Sequence, residues 1–215
     1  MLTVWGRKTS SNVQALMWCV GELGLAYERH DIGHKYGGND TPSFLEMNPN
    51  GTVPVLRDGD GPPLWETGAI VRYICSRYAS PPFWPQDLAE RAQVDMWAEW
   101  AKINVALTFT VPIFWRVVRT PPKDVNQTAV RDAIAALSRK LDIAEARLQK
   151  RPFICGNDLT LADVQLGHVL YRYFDIPIER PEHPALQRYY GRLRTRAAFR
   201  EHIMVSYDEL RAAGV

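Results

Sequence analysis

The segment N-P-N-G-T-V-P-V-L, residues 48–56, constrains the fold of this 215-residue chain more than any other stretch. Its first four residues favour a turn, and the β-branched residues after them predict a strand over 53–57. A second turn signal, D-G-D-G over 58–61, follows at once, and these residues tolerate the positive φ angles of a tight hairpin. A further strand is expected over 64–66, so the two strands are predicted to pair antiparallel.

The residues on either side of this hairpin predict a small α/β unit. Residues 2–5 are typical of a buried strand, and apolar residues at helical spacing after them predict a helix that Gly24 ends. Residues 27–32 supply another strand, and a short irregular helix follows Thr41. Thr67 then begins an amphipathic helix, which gives the element order β-α-β-α-β-β-α.

The second half of the chain is predicted to be entirely helical. Prolines over 80–87 rule out a regular helix there, because each removes a donor and fixes φ. This segment is therefore predicted to link a domain over 1–79 to a helical domain over 88–215. Helices are expected over 88–118, with an interruption at Pro112, and over 125–149, 161–174 and 183–202.

Composition limits the classes of partner. A net charge of +2 is too small for a phosphate-tracking surface, so nucleic acid is not expected, whereas small molecules or proteins are. Three separated cysteines form no metal or disulfide framework, and Gly33 argues against a helix that would align His30 with His34 on a metal. No apolar stretch approaches the ~20 residues that a bilayer requires, so a soluble, cytoplasmic protein with no membrane partner and no metal is expected.

Two helix starts match the capping-box pattern, in which a hydroxyl and a polar side chain three residues later satisfy free amide donors. Thr160 and Asp163 form one such pair, and its role is predicted to be structural. Ser11 and Gln14 form the other. If Ser11 caps the first helix, the hydroxyl of Ser10 is free for another role.

Three local sequences together identify a family resemblance. They are T-S-S-N over 9–12, N-P-N-G-T-V-P-V-L over 48–56 and W-E-T-G-A-I over 65–70. In that order and spacing the chain resembles the soluble, bacterial-like glutathione transferases, specifically the theta-like or zeta-like branches that use a serine near the first helix. The resemblance implies a thioredoxin-like N-terminal domain that binds glutathione, an all-helical C-terminal domain that forms the acceptor pocket, and a homodimer.

The resemblance also implies contacts with glutathione. In the Thr52-Val53-Pro54 segment the Val53–Pro54 bond is expected to be cis, and the Val53 backbone to pair with the cysteinyl part of glutathione as an edge strand would. Glu66 and Thr67 are expected to bind the charged γ-glutamyl end at the start of a helix, where Thr67 also suits the N-cap.

The glycine end of glutathione is matched to Asn39, although the sequence departs from the family pattern there. The acceptor pocket is expected to involve the loop over 5–9 and an aromatic and basic cluster on the first long helix of the second domain. That cluster comprises Phe109, Phe114, Trp115, Arg116 and Arg119.

Three residues compete for the role of holding the reactive sulfur. Alignment with zeta-like and tau-like proteins selects Ser10, alignment with theta-like proteins selects Ser11, and a disulfide-reductase branch of the superfamily would select Asn12. A hydroxyl that donates to the thiolate, beside the positive end of a helix, lowers the pKa of the thiol. The implied activity is attack of this thiolate on a small electrophile; the alternatives are disulfide reduction and a non-catalytic binding protein.

Overall fold

Residues 1–212 are described by a computed structural model of the chain. The first 78 residues contain four strands and three helices. These are β1 (Leu2–Trp5), α1 (Ser11–Glu22), β2 (Tyr27–His30), α2 (Pro42–Met47), β3 (Val55–Asp58), β4 (Leu64–Trp65) and α3 (Thr67–Tyr78).

The four strands form one mixed sheet in the order β2-β1-β3-β4. β1 is parallel to β2 and antiparallel to β3, with Val4 opposite Leu56, while β3 and β4 form the antiparallel hairpin that the turn residues predict. β3 begins at Val55 and not at residue 53, because Pro54 has no N–H to give to the ladder. The predicted thioredoxin-like domain is confirmed.

The helical half contains six helices of six residues or more and two 3-10 turns, Pro122–Asp124 and Asp208–Leu210, and no strand lies between residues 88 and 212. The helices are α4 (Leu88–Val118), α5 (Gln127–Leu148), α6 (Leu161–Gly167), α7 (Leu170–Asp175), α8 (Pro184–Leu193) and α9 (Ala197–His202). No helix or strand lies between Tyr78 and Leu88, the region of the predicted linker. The expected class, an α/β domain followed by an all-helical one, is confirmed.

One hydrophobic core runs through both halves, and α1 lies at its centre. Every residue from Val13 to Val20 is buried. Trp18 packs edge-to-face on Phe199 of α9, with ring centres 4.8 Å apart. On α6, a Cβ at Gly167 would lie 2.8 Å from the Trp18 ring, so only glycine lets these helices approach. α1 is thereby held against the helical half.

The long helix α4 differs from prediction at Pro112. The helix is continuous to Val118 and contains two π-helical segments, Ala101–Ala106 and Thr110–Trp115, the second of which includes the proline. A wider turn accommodates a residue without an N–H, so the expected interruption is wrong.

α4 also has the length and hydropathy of a membrane span. Its most apolar 18-residue window has a mean hydropathy of 1.3, and 39% of that window is buried within the protein. The prediction that no apolar stretch approaches the ~20 residues a bilayer requires is therefore wrong for α4. Core helices of soluble proteins share the same property, because residues such as Val105 and Ile113 face the protein interior.

The capping box at the start of α6 is confirmed. The Asp163 carboxylate accepts hydrogen bonds from the backbone N–H of Thr160 at 2.8 Å and from its hydroxyl at 3.1 Å. It also accepts from the Ile154 N–H at 2.9 Å and from the Tyr189 hydroxyl at 3.0 Å. Asp163 therefore joins the start of α6 to the preceding loop and to α8.

Candidate functional site

The start of α1 differs from the predicted capping box. Ser10, in extended conformation, is the N-cap residue, and its N–H donates to the Arg7 carbonyl at 3.1 Å. The first helical bond runs from the Gln14 N–H to the Ser10 carbonyl at 2.8 Å. The Gln14 side chain is buried and has no hydrogen-bond partner among residues 1–212. The turn from Arg7 to Ser10 sets this start, so the expectation that Ser11 caps the helix with Gln14 is wrong.

The hydroxyls of Ser10 and Ser11 both remain uncommitted. Neither makes a side-chain hydrogen bond within the described part of the chain, and both residues line a cavity of about 230 Å³ between the two halves. A hydroxyl at this position lies beside the positive end of the α1 dipole. Because neither hydroxyl is used to cap the helix, both are candidate donors to an anion at the start of α1.

A half-buried lysine from α4 joins this helix start. The Lys102 ammonium donates to the Asn12 side-chain oxygen at 2.5 Å, and both residues line the same cavity. Burial lowers the pKa of Lys102, and the nearby carboxylates of Glu66 and Glu99 act in the opposite direction. Lys102 could not be predicted from sequence, because it lies 90 positions from Asn12 and only the fold brings the two together.

The turn over 48–54 is held by a buried asparagine. The Asn48 amide donates to the Thr52 carbonyl at 2.8 Å and to the Thr52 hydroxyl at 3.2 Å. The Val53–Pro54 bond is cis, as predicted. The backbone N–H and C=O of Val53 have no hydrogen-bond partner among residues 1–212, which leaves a free edge beside β3.

Glu66 and Thr67 begin α3, but their order at the cap differs from prediction. Glu66 is the N-cap residue, with φ at 66°, and Thr67 is the first residue of the helix. The predicted N-cap role of Thr67 is therefore wrong. A positive φ is strained for a glutamate, and such strain is often found at functional sites. The exposed Glu66 carboxylate lies beside the free amides of the first turn of α3.

Asn39 has a structural contact. Its side-chain amide donates to the Gly51 carbonyl at 2.8 Å, so it braces the turn before Val53. One amide proton is used in this way, and a second remains. The predicted contact between Asn39 and the glycine end of glutathione stays a prediction.

The predicted acceptor cluster divides into lining and core residues. Trp115 and Arg119 line the cavity, and so do Arg7 and Thr9 from the loop after β1. The other three residues do not line it, which corrects their predicted role. Phe109 and Phe114 are core residues packed on each other, and Arg116 is exposed and donates to the Ala129 carbonyl.

Two buried side chains of the helical half complete the cavity and were not predicted. Arg172 donates to the Thr9 carbonyl at 2.7 Å, and burial lowers its pKa to about 10. His168 donates from Nδ1 to the Gln165 carbonyl of α6 at 2.9 Å, its Nε2 has no partner among residues 1–212, and burial lowers its pKa to about 3. Their only sequence signal is a charged or polar residue within an apolar helical pattern.

Two further features of residues 1–212 concern the surroundings of this cavity. No three His, Cys, Asp or Glu side chains come together as a metal site requires. A larger groove of about 750 Å³ lies between the end of α4, the start of α5 and residues 177–181, but it contains none of the predicted site residues. The predicted thiolate donors line the cavity at α1 and not this groove.

Comparison with known proteins agrees with this geometry. The family model of the glutathione S-transferase N-terminal domain matches residues 1–76, and that of the C-terminal domain matches residues 127–192. Glutathione S-transferase GstB of Escherichia coli strain K12 is 34% identical over 206 residues, which cover 95% of this chain and 99% of GstB.

A solved structure and a more distant relative extend the comparison. The theta class glutathione S-transferase of Xanthomonas axonopodis pv. citri, solved with glutathione bound, superposes with a TM-score of 0.89 and 42% identity. The match covers 95% of this chain and 98% of that one. Elongation factor 1-gamma 2 of rice is 33% identical over 155 residues, 71% of this chain but 36% of that protein. Because the family models match both domains and GstB matches nearly the whole chain, this chain belongs to the glutathione S-transferase family.

Proposed function

We propose that this protein binds glutathione along the free edge at Val53 and conjugates its sulfur to a small electrophile in the cavity at α1. The observation that carries the proposal is the pair of uncommitted hydroxyls, Ser10 and Ser11, at the positive end of α1 in a cavity that both halves line. A free thiol has a pKa near ~8.5, so the thiolate must be stabilised to react at neutral pH.

Ser10 is proposed as the donor to this thiolate. Its N-cap position puts its hydroxyl at the helix start, and the Lys102 ammonium adds a positive charge nearby. The thiolate then forms the new C–S bond while the leaving group departs from the electrophilic carbon with the bonding electrons. Asn12 is a weaker candidate than Ser10, because its side-chain oxygen already accepts from Lys102. Ser11 remains the alternative donor.

The rest of glutathione is proposed to bind through the N-terminal domain. The Thr52-Val53-Pro54 segment offers the unpaired Val53 backbone groups, and Asn48 keeps this segment in place. The α-carboxylate of the γ-glutamyl end would meet the free amides at Thr67, and its ammonium would meet the Glu66 carboxylate. Asn39 is proposed to contact the glycine end.

Two substitutions of Glu66 separate its effect on glutathione binding from its effect on stability. Glu66→Ala and Glu66→Gly both remove the carboxylate, so both are expected to raise the KM for glutathione about 10-fold, the loss of one charged hydrogen bond. Glycine relieves the positive φ that alanine retains, so the glycine variant is expected to be more stable by about 1 kcal/mol. Urea denaturation and steady-state kinetics measure the two effects. Equal stability of the two variants, or an unchanged KM, would count against this role.

A homodimer in the cytoplasm is proposed as the working form, with detoxification of electrophiles as its physiological role. Exposed large apolar side chains support the dimer: Trp65 is 40% exposed, Met96 51% and Ile103 52%. Met96 and Ile103 are seven residues apart on α4 and so share a face. All three cysteines are free, which suits a reducing compartment. Sedimentation of the parent and of Ile103→Asp tests the dimer, which the variant is expected to dissociate.

Turnover of two contrasting substrates tests the reaction class. An aryl halide and a small mixed disulfide are offered to the protein with glutathione, and turnover of the aryl halide is expected. Turnover of the disulfide alone would replace the transferase proposal with disulfide reduction. Turnover of neither would favour a binding protein, the alternative that similarity to elongation factor 1-gamma 2 of rice supports.

A further inference from the structure

We propose that the electrophile this protein takes carries a carboxylate, which binds to a cluster of three guanidinium groups, Arg7, Arg119 and Arg172. The inference rests on the proposed transferase function and names the substrate class of the same cavity. All three arginines line that cavity together with Ser10 and Ser11.

The three arginines lack the carboxylate partners that buried guanidinium groups normally have. None of them forms a salt bridge with an acidic side chain among residues 1–212. Arg172 is only 3% exposed, and its one hydrogen bond is to the Thr9 carbonyl, while its Nε is buried without a partner. The Nε of Arg7 is likewise buried and unpartnered. Unpaired buried charge is costly, so the arrangement favours an anion in the cavity.

Among residues 1–212, the acidic side chain whose charge acts on Arg7 is Glu209, and it is already engaged. Glu209 accepts from the Thr9 hydroxyl and forms an ion pair with Lys35 at 2.6 Å. Burial lowers the pKa of Arg7 most, the charge of Arg119 lowers it further, and Glu209 only partly offsets this. The pKa of Arg172 is lowered chiefly by burial and also by the charges of the other two arginines. The three groups therefore repel one another, and a bound carboxylate would relieve that repulsion.

The remaining wall of the cavity suits a compact apolar body. Leu107, Val111 and Trp115 follow one another at four-residue spacing on α4 and line one side. The Arg119 guanidinium lies over the Trp115 ring, 4.6 Å from its centre, so its charge lies at the end of this wall. A dry cavity of ~150 Å³ holds a benzene ring, so about 230 Å³ accommodates one substituted ring. The carboxylate can then lie on the arginines while the reactive carbon faces α1.

The glycine carboxylate of glutathione is the competing occupant of the cluster. If it bound there, loss of an arginine would weaken glutathione binding and would affect every electrophile equally. A charged and a neutral form of one electrophile separate the two possibilities. The probes are 4-chloro-3,5-dinitrobenzoate and its methyl ester, each with rates divided by the uncatalysed rate with glutathione.

The parent protein is expected to favour the acid over the ester by about 10-fold or more in kcat/KM, as a charged hydrogen bond implies. Arg119→Gln is expected to remove that preference, measured as the ratio of the two normalised kcat/KM values, and Arg119→Lys to restore it in part. Arg116→Gln is the matched control, because Arg116 lies one turn away on α4, is exposed and does not line the cavity. This control should keep the parent's preference.

Three outcomes overturn the inference. Equal normalised rates for acid and ester in the parent would do so and would leave the transferase function intact. An Arg119→Gln variant with an unchanged acid-to-ester ratio and a raised KM for glutathione would assign the cluster to glutathione. No turnover of either electrophile would remove the transferase function and the inference with it.

Discussion

Replacing Asp163 with alanine is expected to lower the free energy of unfolding by about 3–5 kcal/mol, the range for removing one partner of a buried charged network. The carboxylate is fully buried and accepts four hydrogen bonds, two of them from the backbone N–H groups of Ile154 and Thr160. Alanine leaves those donors without a partner away from water. The change also cuts the link from α6 to Tyr189 on α8.

Asp87 provides the matched control for this experiment. It caps α4 by accepting from the N–H groups of Ala89 and Glu90, both at 2.9 Å, but it is exposed to water. Asp87→Ala should therefore cost only about 1 kcal/mol. Burial raises the pKa of Asp163 to about 6, and its hydrogen bonds oppose this, so urea denaturation of both variants is measured at pH 7.5, where Asp163 of the parent is ionised. Equal losses for Asp163→Ala and Asp87→Ala would show that the buried network contributes nothing beyond an ordinary cap.

Replacing Ser10 with alanine is expected to lower kcat/KM at neutral pH by about 10- to 100-fold. A hydrogen bond to a charged group contributes about 1.5–3 kcal/mol, and losing it raises the pKa of the bound thiol by about one to two units. The thiolate fraction at neutral pH falls by the same factor. The deficit should shrink as pH rises past the new pKa, because thiolate then forms without the hydroxyl's help. A loss from misplaced substrate would not show this dependence on pH.

Ser11→Ala is the control one residue away. Ser11 lines the same cavity, and its hydroxyl is also uncommitted, so the two variants differ only in position along the start of α1. A change of less than about 3-fold is expected for Ser11→Ala. A loss confined to Ser11→Ala would move the donor to the residue that theta-like alignment selects.

The hairpin and the domain order could be predicted from sequence because their signals are local. The turn residues over 58–61 alone specify the pairing of β3 with β4, and the repeat of apolar residues specifies α1. Glu66 and Thr67 could be placed at a helix start for the same reason. The exact cap residue could not, since a one-residue shift leaves the apolar pattern unchanged.

The capping box at Ser11 shows where a local pattern misleads. The spacing from Ser11 to Gln14 fits the motif, yet the turn that Arg7 closes with Ser10 begins the helix one residue earlier than this spacing requires. The same pattern at Thr160 is correct, because there Asp163 has donors from three separate segments. Whether a two-residue pattern forms a capping box therefore depends on contacts with residues outside the pattern.

The basic side of the cavity depends on contacts between distant residues. Arg172 reaches the Thr9 carbonyl across 163 positions of sequence, and Lys102 reaches Asn12 across 90. Neither residue belongs to a local motif, and each sits in a helix whose apolar pattern predicts only burial. Packing of α1 against the helical half brings Arg172 and Lys102 to the cavity, so neither residue could be predicted from local sequence.

The pKa of the thiol of bound glutathione tests the proposed activation most directly. It can be measured by titrating the ultraviolet absorbance of the thiolate in the complex with the parent protein. A value at least one unit below the ~8.5 of a free thiol is predicted, with a rise in Ser10→Ala. A bound thiol that titrates at or above the free value would contradict activation by the start of α1.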